Sequence, residues 1–184
     1  MMTDNGNTGA DEVEDKPTET DPSEYVLCYL TCPQDAAGAF VGALMLTDGR
    51  ARPLHFGYVS PIKPTAIQRV IYGPTLREHV KIDVIASKLF KGMPQAPQVV
   101  FVDSQELLSA RRLISSPLAH LARKESGKDE SSSLSALVYA TNENTHDRDT
   151  VGAMIALLES QIDLIEPFAR MIEALKEAMK AGGK

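Results

Sequence analysis

The apolar positions fall into two kinds of pattern: short dense runs in the first half of the chain and a long helical period near its end. Residues 25–31 (YVLCYLT), 40–47 (FVGALMLT) and 53–60 (PLHFGYVS) are rich in aliphatic and aromatic side chains and bounded by Pro, Gly or Asp, which predicts three strands. Asp48-Gly49, between the second and third, predicts a tight hairpin whose two central residues take positive φ. The three strands then form an antiparallel meander, which Pro61 and Pro64 end. Thr65 and Gln68 have the spacing of a capping box, opening a helix with Ile67, Val70 and Ile71 on its apolar face before Gly73-Pro74 interrupts it. A second helical segment, about 75–91, carries Leu76, Val80, Val84 and Leu89 at helical spacing.

Residues 98–102 (QVVFV) form a continuous apolar run of the kind buried on both faces of a sheet. Asp103 and Glu106 then open a helical run to Ile114, and a further short helix is expected after Pro117, to about Ala122. The polar stretch 124–133 (KESGKDESSS) should be an exposed, mobile loop, and 134–141 (LSALVYAT) a fifth strand. A long helix follows over about 149–179, where Val151, Ile155, Leu158, Ile162, Ile165, Phe168, Ile172, Leu175 and Met179 recur with a mean spacing of 3.5 residues. That period suits a seam between helices. The seam lies either on the protein's own sheet or against a second subunit, and Ile155, Leu158, Ile162, Ile165, Phe168 and Ile172 are its candidate interface residues. Pro167 should kink or split the helix.

Composition narrows the class. The 184 residues are 43% hydrophobic with two Cys and no Trp, and the longest nearly unbroken apolar stretch, residues 36–46, falls well short of the ~20 needed to cross a bilayer. With no leader-like pattern, the expectation is a cytoplasmic protein with no membrane partner. Residues 1–24 are read as a disordered acidic tail and 25–184 as a single globular domain. Cys28 and Cys32, four apart on extended chain, would be roughly 13 Å apart at ~3.3 Å per residue, too far for a disulfide or a shared metal. The four His fall in separate elements, and there is no nucleophile-elbow or phosphate-loop motif.

Charge changes the picture more. The net charge of −6 divides into −7 over residues 1–24, −2 over 25–49, +8 over 50–124 and −5 over 125–184. A basic centre is flanked by acidic ends. Arg69, Arg77, Lys81, Lys88, Arg111 and Arg112 are its candidate residues for binding an anion or an acidic partner.

The predicted class is α/β with an α+β tendency: a mixed five-stranded sheet, a three-strand meander plus two further strands, with helices packed on it. The order strand, strand, strand, helix, strand, helix, strand, long helix resembles that of the ribonuclease-H-like fold over roughly residues 25–180. In that family clustered carboxylates hold two divalent metal ions for phosphodiester cleavage, which implies acids in the first strand, on the first long helix, at the end of the fourth strand and near the last helix. Glu78, Asp103 and Asp149 match the last three places, with Asp83 and Asp147 beside them, whereas the first strand carries no carboxylate. Each acid also has a structural reading: Asp103 and Glu106 as a helix cap and its partner, Asp147 and Asp149 as charges favouring a helix N-terminus, and Glu78 and Asp83 on a solvated helix face.

The sequence therefore favours a non-catalytic interaction or accessory module, engaging a protein partner or a second copy through its basic centre and its C-terminal helix, with no cofactor. Nucleic-acid binding by the same basic centre is the alternative. A divergent nuclease with an incomplete acidic site follows, the one reading that calls for a divalent metal.

Overall fold

The computed structural model describes residues 21–35, 37–123, 137–143 and 145–182. Strands β1 (Val26–Thr31), β2 (Phe40–Asp48) and β3 (Pro53–Ile62) form the expected meander. Helix α1 (Ala66–Tyr72) follows, then a continuous helical run made of a 3-10 turn (Gly73–Thr75), α2 (Leu76–Glu78), a π-helix (His79–Ala86) and α3 (Ser87–Lys91). Strand β4 (Val99–Val102), a 3-10 helix (Gln105–Leu113), β5 (Leu118–Arg123), β6 (Leu137–Thr141), α4 (Thr145–Leu158) and α5 (Glu166–Gly182) complete the order.

Among the described residues the sheet has six strands in the order β3-β2-β1-β4-β5-β6, one more than expected. Strand β1 pairs antiparallel with β2 and parallel with β4, β4 pairs parallel with β5, and β6 closes the far edge antiparallel. The additional strand is β5, where a short helix was expected. Leu118-Ala-His-Leu-Ala-Arg123 is built from good helix formers, but β4 and β6 satisfy its backbone from both sides, and tertiary pairing overrides so weak a local preference.

Alternation along the central strands divides the core into two layers. Cys28, Leu30, Val100 and Val102 face the π-helix and α3, packing with Ile82, Ile85, Leu89 and Phe90. Leu27, Tyr29, Val99 and Phe101 face the other way, onto Val151, Ile155, Leu158, Phe168, Met171 and Leu175 of α4 and α5. Strands covered on both sides carry apolar residues at every position, which is why 98–102 reads as a continuous run. Gly42 sets the distance on the first side: a Cβ there would stand 2.2 Å from Ile85 Cγ2. Both cysteines are buried and unpaired.

Two further expectations are corrected and a third is refined. The β2–β3 hairpin places positive φ on Ala51 rather than on Asp48-Gly49, and Asp48 instead accepts the Arg50 and Arg52 amides on Oδ1 at 2.9 Å each. The long C-terminal stretch, expected to kink or split at Pro167, is two helices. The break lies at residues 159–165, where Asp163 Oδ1 accepts the Ile165 amide, and Pro167 sits in the first turn of α5, where a missing N–H costs nothing. Of the expected acidic tail, residues 21–24 belong to the fold: Asp21 caps a 3-10 turn (Pro22–Glu24) and pairs with Arg50 at 2.9 Å. Residues 1–20 and the loop expected at 124–133 lie outside the described residues. Among the described residues no helix is long and apolar enough to cross a membrane.

Candidate anion-binding site

The register that sets Leu30 opposite Val102, and Val102 opposite His120, brings the C-terminal ends of β1, β4 and β5 to one edge of the sheet. Thr31, the last residue of β1, is fully buried, and its hydroxyl donates to Asp103 Oδ2 just past β4. Asp103 does not cap the following helix. Ser104 does, with its Oγ accepting the Glu106 amide at 3.3 Å, and this leaves Asp103 for Thr31. The atoms packed around Asp103 raise its carboxyl above the ordinary 3.8, opposed by the Thr31 hydrogen bond and the positive charge of Lys81.

Lys81 comes to this edge from the π-helix. It is 5% exposed, and its Nζ donates to Glu106 Oε2 at 2.7 Å, while Arg77 Nε donates to the same oxygen at 2.8 Å. Two cations thus meet on one carboxylate oxygen, and their hydrogen bonds, Lys81's first, hold the Glu106 carboxyl below its ordinary 4.5. Around them is a cleft of about 250 Å³ lined by Pro74, Arg77, Glu78, Lys81, Glu106 and Ser109. Cys32, just beyond Thr31, is not a nucleophile at neutral pH, since burial pushes its thiol up to about 12.

The three carboxylates singled out for a metal site have separate roles. Glu78 Oε1 accepts from Arg112 at 3.0 Å, Asp103 is held by Thr31, and Asp149 is exposed on the first turns of α4. Among the described residues no three His, Cys, Asp or Glu side chains are grouped so that they could share a metal ion. Asp147, two residues before Asp149, is fully buried and takes a two-point contact from Arg111, at 2.6 Å from Nε and 3.1 Å from Nη2. This pair ties the start of α4 to the 3-10 helix.

The predicted basic patch is largely neutralised inside the protein. Arg77 and Lys81 share Glu106, Arg111 holds Asp147, and Arg112 bridges Glu78 and Asp83, whose carboxyl it holds below the ordinary value. Arg69 Nε donates to the Pro64 carbonyl, and Lys88 is exposed. The predicted helix interface is largely spent on the protein's own sheet: Ile155, Leu158 and Phe168 are buried in the core, Ile162 and Ile165 pack against it, and Ile172 is half-buried. Sequence reasoning missed Thr31 and the pairing of Lys81 with Glu106. A threonine ending an apolar strand is a faint signal, and the partnership crosses from one helical element to another.

No protein-family model and no curated protein matches the chain. Among solved structures it is similar to Marinitoga piezophila Argonaute in complex with a 5′ OH guide RNA, with a TM-score of 0.41 and 11% identity over 78% of this chain and 27% of that one. It is also similar to a variant of Ciona intestinalis endonuclease V in complex with a 23mer DNA containing an inosine, with a TM-score of 0.35 and 11% identity over 60% of this chain and 50% of that one. The chain thus spans half or less of either protein's length.

Proposed function

We propose that this protein binds the phosphate backbone of a nucleic acid through Arg77 and Lys81, on a sheet of ribonuclease-H-like topology that lacks that family's first-strand carboxylate. The observation that carries the reading is the convergence of those two cations on the single oxygen of Glu106 beside the C-terminal ends of β1 and β4. In open α/β sheets, ligands lie in the crevice outside those ends. A phosphate oxygen presents the same chemistry as Glu106 Oε2. Glu106 is about half exposed, so it can turn toward water once another anion takes its place on Lys81. Lys81 cannot, because its stem is buried and its ammonium needs an anion wherever Glu106 goes.

The topological part of the reading rests on strand order and direction: an antiparallel β3-β2-β1 meander whose central strand runs parallel to β4 and β5. Strand β1 carries no carboxylate, and the proposal is therefore one of binding through the two cations.

The test is fluorescence anisotropy with a labelled 20-nucleotide single strand, as DNA and as RNA, titrated across potassium chloride concentrations. Affinity should fall as salt rises, and Lys81→Met or Arg77→Ala should weaken binding about tenfold and reduce the salt slope by about one. Glu106→Gln should tighten binding by removing the internal competitor. No binding at low salt, or binding indifferent to all three substitutions, would refute the reading.

A further inference from the structure

Beside the Arg77–Lys81 cleft lies a second one, of about 240 Å³, lined by Tyr72, Thr75, Glu78, His79, Asp83 and Arg112. Tyr72 and His79 are stacked on each other, with ring centroids 4.3 Å apart and planes 17° from parallel. Along an unbroken helix, residues seven apart are separated by about 10 Å. The turn at Gly73, with φ 50°, interrupts the helical run between them and lets the two rings meet. No atom lies within 4 Å of where a Gly73 Cβ would stand, so the backbone angle rather than packing calls for glycine there. His79 is also held at its edge, where Nδ1 lies 3.0 Å from Asp83 Oδ2. Both rings are half-buried, and stacking covers only one face of each, which leaves an outer face for a third flat ring.

The charges decide which part of a nucleic acid each cleft takes. Glu78 lines both, so the two adjoin. The first holds Arg77 and Lys81, two cations on a single Glu106 oxygen. In the second, Arg112 is matched by two carboxylates, with Nη1 3.0 Å from Glu78 Oε1 and Nη2 2.6 Å from Asp83 Oδ1. No positive charge is left over there for a phosphate. What the second cleft offers instead is ring surface and carboxylate oxygens, which suit an uncharged flat group carrying N–H donors. A nucleobase has that character, and one already paired inside a duplex has no free face to offer.

We propose that the Tyr72–His79 stack is a subsite for an unpaired nucleobase of the strand whose backbone lies on Arg77 and Lys81. This rests on the nucleic-acid reading and narrows it to single strands. Every base has a π face, so stacking here selects for strandedness rather than for sequence.

The chain has no Trp, so Tyr72→Trp places a single fluorescent reporter in the stack. Three probes of 20 nucleotides separate base from backbone: a mixed-sequence single strand, a strand made only of abasic tetrahydrofuran sites, and a duplex. Added to the full chain at low salt, the single strand should quench the Tyr72→Trp emission by at least half, whereas the abasic strand and the duplex should leave it unchanged. In anisotropy, Tyr72→Ala should weaken the single strand about tenfold without changing the affinity for the abasic strand, and Tyr72→Phe should restore single-strand binding. A bound single strand that does not quench, equal quenching by the abasic strand, or equal losses for both strands in Tyr72→Ala would overturn the base subsite. So would single-strand affinity indifferent to Tyr72→Ala. If binding in any of those cases still falls with salt and in Lys81→Met, the backbone reading survives alone, and if no probe binds, both fail.

Discussion

The two layers that flank the sheet use their side chains differently. On the α4/α5 side the apolar stripe is spent inward: Leu158, Leu164, Phe168, Met171 and Leu175 are buried, and Arg111 and Asp147 lock the start of α4 to the rest of the molecule. On the other side the π-helix and α3 are as firmly seated where they meet the sheet, but their outer surface keeps groups that folding has not used up. These are the two cations on Glu106, the cleft beside them and the open apolar face of α1. The same residue types at the same helical spacing thus give a core in one layer and candidate binding surfaces in the other. Periodicity reports that a helix has an apolar face, and only topology decides what covers it.

Substitutions on the two layers should therefore separate stability from binding. The largest effect is expected from Leu158→Glu, which places an unpaired charge in a fully buried site and should abolish cooperative unfolding in circular dichroism, whereas Val70→Glu on α1 should leave the melt intact. Asp147→Ala strands Arg111 in a largely buried position and should cost about 3–5 kcal/mol by urea denaturation. Gly42→Ala tests the seat of the first layer and should cost about 1–3 kcal/mol, since the new methyl must displace Ile85 of the π-helix. If Gly42→Ala proved silent while Val70→Glu unfolded the protein, the division between a fixed inner surface and a free outer one would be reversed.

A smaller effect concerns pH. Crowding raises the folded-state Asp103 carboxyl above its ordinary 3.8, so the native state holds that proton more tightly than the unfolded chain does. The resulting stability is fully present below the ordinary value and is lost as pH rises through the raised one. Asp103→Asn removes this loss and keeps an acceptor for Thr31, so its stability relative to wild type should improve between pH 3 and pH 7. Glu106 runs the other way. Its lowered carboxyl adds stability above the ordinary 4.5 that is lost as pH falls, and Glu106→Gln should compare worse with wild type at pH 7 than at pH 3.

Much of the architecture was legible because it depends on local pattern. The meander, the doubly buried 99–102 strand and the apolar stripe from Val151 to Met179 follow from runs and periods visible in the residues themselves. What escaped was decided at long range. Leu118–Arg123 is a strand because two neighbours pair with it, and the break between α4 and α5 falls at residues 159–165, without a proline, where Asp163 can accept the Ile165 amide. The site was half legible. Arg77 and Lys81 stood out as cations four residues apart, but Glu106 was read as a helix-cap partner, a role its sequence position suggests and Ser104 removes. The +8 of the central region could be counted, but not the carboxylates that would neutralise it, because Asp147 lies 36 residues from Arg111.

The central claim is that the C-terminal edge of β1 and β4, rather than the rest of the basic centre, receives the nucleic-acid backbone. Photocrosslinking a 5-iodouracil-substituted oligonucleotide to the full chain, followed by mass spectrometry of the joined peptides, locates the contact directly. Crosslinks within residues 72–81 and 103–109, lost in Lys81→Met, are the predicted result. Crosslinks confined to residues 66–71 or to the C-terminal helices, or unchanged in Lys81→Met, would contradict it.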